Sequence, residues 1–113
     1  MFWCAPFNND LSKWDVSNVT DMENMFIGSA FNKDISKWNV SNVKFMSSMF
    51  KASSFNKDIS QWNVSNVEDM TEMFCDSPFN QDISKWDVSN VDEYIHIFDF
   101  CPIKKEYKPE KFK

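Results

Sequence analysis

Apolar positions along this chain return every 24 residues. Trp14, Trp38, Trp62 and Trp86 form one column, and Phe7, Phe31, Phe55 and Phe79 another. Met22, Met46, Met70 and Tyr94 share a third, Met25, Met49, Met73 and Ile97 a fourth, and Phe2, Phe26, Phe50, Phe74 and Phe98 a fifth. Polar columns keep the same step: Asn8, Asn32, Asn56 and Asn80, then Asp10, Asp34, Asp58 and Asp82. A fixed period of this size marks a repeat architecture, in which each unit covers its apolar face with the next one. The units run over about 2–25, 26–49, 50–73 and 74–97, with a partial unit at 98–103 and a basic tail or cap at 104–113.

Within a unit, Leu11, Trp14 and Val16, with their counterparts from Ile35 to Val88, are spaced i, i+3, i+5. Trp and Val alternate around a polar residue, which predicts a short parallel strand with one buried face. Val19, Met22, Met25 and Phe26 lie at i, i+3, i+6, i+7, which predicts a short helix of about two turns. Asn18 is placed to cap it, with Asp21 three residues on; Asn66 with Asp69 and Asn90 with Glu93 repeat the pair, and Asn42 with Phe45 breaks it. A turn through Pro6, Ala30, Ser54, Pro78 and Pro102 then leads into the next unit. The expected fold class is an α/β solenoid of about four 24-residue repeats.

The recurring string Phe-Asn-x-Asp-Ile-Ser-x-Trp-Asn-Val-Ser-Asn-Val-x-x-Met-x-x-Met-Phe, over residues 2–103, resembles the repeat of mycoplasma-type surface lipoproteins of unknown function. That family is grouped with the BspA-like leucine-rich repeat surface proteins. Ile35-x-x-Trp38-x-Val40-x-Asn42 parallels the leucine-rich pattern, with Trp where Leu is usual and Asn one place early. The resemblance implies a right-handed, leucine-rich-repeat-like solenoid, a cell-surface or extracellular location and interactions there. It brings no catalytic residues.

Composition narrows the function. The chain has 113 residues, a single Gly and a formal charge of −5. The tail from Lys104 to Lys113 sets five lysines against Glu106 and Glu110, a net +3, which leaves −8 on the body. An acidic body repels phosphate backbones, so no nucleic-acid partner is expected. No apolar run reaches membrane-spanning length and no signal or anchor segment opens the chain. Cys4, Cys75 and Cys101 are an odd count without metal-ligand spacing, and the two-column offset between Cys75 and Cys101 favours thiols over a disulfide. His96 is the only histidine, so neither a Cys–His pair nor a metal site is supported, and no cofactor is implied.

Each repeated residue type has a structural reading. The Trp and Met columns are read as core, not as a sugar-stacking platform or a soft-metal site. The two Asn columns are expected to form ladders between units, and the Asp column to close turns. The candidate binding surface is the set of polar positions between the buried strand residues: Ser12, Lys13, Asp15, Ser36, Lys37, Asn39, Ser60, Gln61, Asn63, Ser84, Lys85 and Asp87. They are expected to line an exposed sheet face that meets a protein or glycan partner; a spacer or self-assembling scaffold is the alternative. Because Met1-Phe2 matches Met25-Phe26, the chain begins inside a unit. That predicts either a piece of a longer array or a homodimer through an N-terminal edge of Phe2, Trp3 and Phe7.

Overall fold

The period of 24 is written into the hydrogen bonds. A computed structural model describes residues 7–113, and Phe2 and Trp3 lie outside them. Asp21, Phe45, Asp69 and Glu93 form successive parallel bridges, each one unit apart. Around each bridge, N–H groups of one unit donate to carbonyls of the next. Met46, Ser48, Phe50 and Ala52, for example, donate to Asp69, Thr71, Met73 and Cys75 at 2.8–3.0 Å.

The expected α/β solenoid does not form. Among the described residues there is no α-helix and no strand, only isolated bridges and two 3₁₀ helices, Lys105–Tyr107 and Glu110–Phe112. The segments read as a leucine-rich-repeat strand and a capped helix are runs of tight turns, packed into a compact body of 33 × 29 × 20 Å. The physical reason lies in the spacing. Apolar residues at i and i+3 turn inward from a β-turn as readily as from a helix face. Thus Trp38 N–H donates to Ile35, Val43 N–H to Val40, and Met49 N–H to Met46, each closing a turn. The bridges sit inside the segment expected to be helical, so its backbone bonds run between units instead of along a helix axis.

A second departure supports these turns. Asn24, Ser48, Glu72 and His96 share one column, and all have φ near +55 to +61°. Gly28, Ala52, Asp76 and Phe100 share another with positive φ. A left-handed residue at the third position of a turn is the type II geometry, for which Gly and Asn are best suited. Only Asn24 and Gly28 follow that preference.

The core matches the columns. Trp38, Trp62 and Trp86 are buried, with neighbouring rings stacked at 6.5 Å and within 3° of parallel. Phe26, Phe50, Phe74 and Phe98 stack at 5.6–5.9 Å. Phe26, Phe50 and Phe74 also face Phe31, Phe55 and Phe79 at 4.1–4.4 Å. Each fully buried Phe contributes on the order of 2–3 kcal/mol. The methionines at 46, 49, 70 and 73 are fully buried among them. Trp14 departs from its column at 47 % exposure.

The C-terminal residues lie against the fourth unit. Ile103 and Phe112 are buried, Phe112 packs on Tyr94 at 4.7 Å, and Lys111 Nζ donates to the carbonyls of Val91 and Val88.

Candidate interaction surface

The predicted binding residues sit on turn tips, not on a sheet face. In each unit the aspartate that precedes the first turn accepts the N–H two residues on. Asp10 accepts from Ser12, Asp34 from Ser36, Asp58 from Ser60 and Asp82 from Ser84, at 2.8–3.0 Å. These are Asx turns, as the Asp column predicts. They leave Ser12-Lys13, Ser36-Lys37, Ser60-Gln61 and Ser84-Lys85 at the tips of turns whose ends are Leu/Ile and Trp.

A second Asx turn follows. Asp15, Asn39, Asn63 and Asp87 accept from Ser17, Ser41, Ser65 and Ser89 at 3.0–3.1 Å. Every unit therefore presents two adjacent tips, and the four units line them up as a ridge. Along it Lys13, Lys37, Gln61 and Lys85 are exposed, as are Asp15, Asn39, Asn63 and Asp87, while Ser12, Ser36, Ser60 and Ser84 are half-buried.

Asp10, Asp15, Asp34, Asp82 and Asp87 are favoured in their ionised form. The main-chain N–H of Ser12 and that of Ser36 hold Asp10 and Asp34 below the ordinary value. For Asp15, Asp82 and Asp87 the leading cause is the hydroxyl of Ser17, Ser84 and Ser89 respectively. An anion that accepts hydrogen bonds is favoured over its neutral acid.

Only part of the predicted set shares a concavity. Ser60, Gln61 and Lys85, with Asp58, Gln81 and Asp82, line an open depression of about 290 Å³ between the third and fourth units. Ser12, Lys13, Ser36, Lys37, Asn39, Asn63, Ser84 and Asp87 do not line it. Asp15 instead borders a separate depression of about 290 Å³ with Trp14, Val19, Met22 and Met25.

Both asparagine ladders are present. Asn8, Asn32, Asn56 and Asn80 each offer Oδ1 to the N–H exactly one period on, at Asn32, Asn56, Asn80 and Lys104, at 2.8–3.0 Å. Asn42, Asn66 and Asn90 donate Nδ2 to Ser17, Ser41 and Ser65 at 2.6–2.7 Å. The second column therefore ties units together and caps no helix. Sequence reasoning missed the buried serines at 29, 53 and 77, whose hydroxyls accept the N–H of Phe31, Phe55 and Phe79. Their signal was the 24-residue step of Ser before x-Phe. In the partial unit that follows, Cys101 takes that column, and its Sγ donates to the Phe79 carbonyl at 3.1 Å.

Cys75 and Cys101 are free thiols, and burial pushes both up in pKa. His96 Nδ1 pairs with Asp99 at 2.6 Å on the surface. Among the described residues no three of His, Cys, Asp and Glu gather as a metal site. No helix among them is long and apolar enough to cross a membrane. Phe7, the described member of the expected N-terminal edge, is half-buried and stacked on Phe31 at 6.0 Å.

One protein-family model matches residues 1–108, nearly the whole chain; its description is Mycoplasma protein of unknown function, DUF285. No curated protein and no solved structure matches the chain.

Proposed function

The chain belongs to the DUF285 family of Mycoplasma proteins, and on that premise we propose that it is a non-catalytic surface module whose turn ridge meets a protein or glycan partner. One observation carries this reading: four units present the same pair of Asx-closed tips side by side, so Ser, Lys or Gln, and Asp or Asn recur as an ordered polar array. Turns pinned by their own side chains are rigid. Rigid polar groups lose little freedom when a partner engages them. The surface location rests on the resemblance of the repeat to BspA-like surface proteins.

A spacer without a specific ligand is the second reading. It is favoured by the ridge carboxylates and amides, whose Oδ1 atoms already accept bonds from their own turns. The two readings separate on arrays of extracellular proteins and glycans, probed with the full chain and with a Lys37→Glu, Gln61→Glu, Lys85→Glu variant. The ridge reading expects a reproducible ligand whose affinity falls at least about tenfold in the variant. Equal binding by both, or no ligand on arrays that detect control binders, favours the spacer. Protease treatment of intact cells tests location: a surface protein is cleaved while cytoplasmic markers survive.

A further inference from the structure

The units are spaced differently on their two sides. Along the Met-Phe arc, backbone N–H groups such as those of Met46 and Phe50 reach carbonyls of the next unit directly. That sets a step near the parallel-strand spacing of about 4.8 Å. Between the ridge segments 7–17, 31–41, 55–65 and 79–89 no two backbone groups bond directly. Side chains span the gap there: the Oδ1 atoms of Asn8, Asn32 and Asn56, and the indoles of Trp38, Trp62 and Trp86. The aromatic columns measure the difference, because their rings lie within 10° of parallel. Phe26, Phe50 and Phe74 step by 5.6–5.7 Å, Phe31, Phe55 and Phe79 by 6.1–6.3 Å, and Trp38, Trp62 and Trp86 by 6.5 Å. The units therefore fan apart from the arc towards the ridge.

The wider step matches one kind of ligand. An extended peptide advances about 3.3 Å per residue, so its alternate residues recur at nearly the Trp-column step. Successive tips can then meet residues i, i+2, i+4 and i+6 of one strand, all on the same side of it. Charge selects among such peptides. The four ridge segments carry six acids against five lysines, so most of the body's acidity lies off the ridge. The ridge carboxylates already accept N–H groups of their own turns. Lys13, Lys37 and Lys85, in contrast, are exposed and close no ion pair among the described residues. The unengaged charge on the ridge is therefore positive and confined to one column, which Gln61 completes with an amide.

We propose that the ridge binds an extended acidic segment of a partner protein, laid along the stack of units. Carboxylates at alternate positions of the segment face Lys13, Lys37 and Lys85, and a polar residue faces Gln61. The inference rests on the ridge being a binding surface and narrows its partner to a polypeptide. Exposed ion pairs are individually weak. Selectivity therefore comes from register, since a carboxylate off the two-residue step points away from its lysine.

The probe is a blocked heptapeptide, Glu-Thr-Glu-Thr-Gln-Thr-Glu, titrated into the isotopically labelled full chain and followed by NMR. Amide shifts should move at all four tips and saturate with a dissociation constant of about 1 mM or below. Added salt should weaken the binding. A Lys13→Gln, Lys37→Gln, Lys85→Gln variant should lose it at least about tenfold; Gln61 already occupies this column, and unchanged thermal unfolding confirms the fold. Carbodiimide coupling then reads the register: the first, third and seventh residues of the peptide should join Lys13, Lys37 and Lys85 in that order. No ridge shifts up to about 5 mM peptide, equal binding by the variant, or couplings without that order each overturn the inference. If an array ligand is still weakened by the ridge substitutions in that case, the ridge reading stands and only the peptide inference falls.

Discussion

The indole Nε1 of Trp62 donates to the carbonyl of Ile35, one unit earlier, at 3.0 Å. Trp38 and Trp86 make the same bond to Leu11 and Ile59. One residue type thus fills the core, stacks on its neighbours and ties adjacent units through the polar end of its ring. Trp62→Ala should cost about 3–5 kcal/mol through the cavity left in the column. Trp62→Phe keeps much of the volume and loses the bond, so it should cost about 1–2 kcal/mol. Urea unfolding monitored by circular dichroism gives both values. A negligible cost for Trp62→Phe would show that the indole N–H contributes nothing.

Asn56 lies at the centre of the first ladder, where its Oδ1 takes the N–H of Asn80 at 2.9 Å and Nε2 of Gln81 at 3.1 Å. Asn56→Ala strands a half-buried backbone donor, with an expected cost of about 1–3 kcal/mol. Asn56→Asp keeps an acceptor there and should recover most of that loss at neutral pH. Paired urea titrations decide the point.

The left-handed columns hold a reserve of stability. Ala52 has φ 55°, whereas Gly28 occupies the equivalent position in the preceding unit. A residue with a Cβ is disfavoured by about 1–2 kcal/mol in this conformation. Part of that is offset by the greater freedom of Gly in the unfolded chain. Ala52→Gly should therefore raise stability by about 0.5–1 kcal/mol, and Gly28→Ala should lower it by a similar amount. Thermal melts of the pair should move in opposite directions; shifts of the same sign contradict the assigned backbone.

Acid should weaken the fold through the ridge. Asp10, Asp15, Asp34, Asp82 and Asp87 all titrate below 3.8 when folded. Their stabilisation is complete above the unfolded value and disappears as pH falls through the lower folded values. The melting temperature should thus stay level from about pH 7 to about 5 and fall below about pH 4. Asn39 and Asn63 already occupy the column of Asp15 and Asp87 with the same backbone bond. An Asp15→Asn, Asp87→Asn variant should fold normally at pH 7 and show a shallower acid limb. An unchanged limb would mean that these two turns carry no pH-dependent stability.

Residue spacing revealed which groups meet and not the path of the backbone between them. The step of 24 was enough to place Trp38 over Trp62, Asn32 against Asn56, and Asp34 in an Asx turn, because equivalent residues of adjoining units must come together. It could not separate a two-turn helix at Val19–Phe26 from linked β-turns. Both bury positions at i and i+3, and the distinguishing feature, positive φ at 24 and 28, coincides with Asn and Gly only in the first unit. Ser48, Glu72 and His96 conceal it in the others. The ridge residues were legible as exposed polar positions. Their place on turn tips was hidden by a Trp-x-Val alternation that a strand would share. Trp14 shows a further limit: at 47 % exposure it departs from the other three members of its column, which are buried.

The central claim is that backbone bonds in the Met-Phe arc pass between units, alternate residue by alternate residue. Scalar couplings across hydrogen bonds, measured by NMR on isotopically labelled protein, read these pairs directly. The account predicts cross-peaks from the amide nitrogens of Met46, Ser48, Phe50 and Ala52 to the carbonyl carbons of Asp69, Thr71, Met73 and Cys75. Correlations from these amides to carbonyls four residues earlier, the mark of a helix, would contradict it.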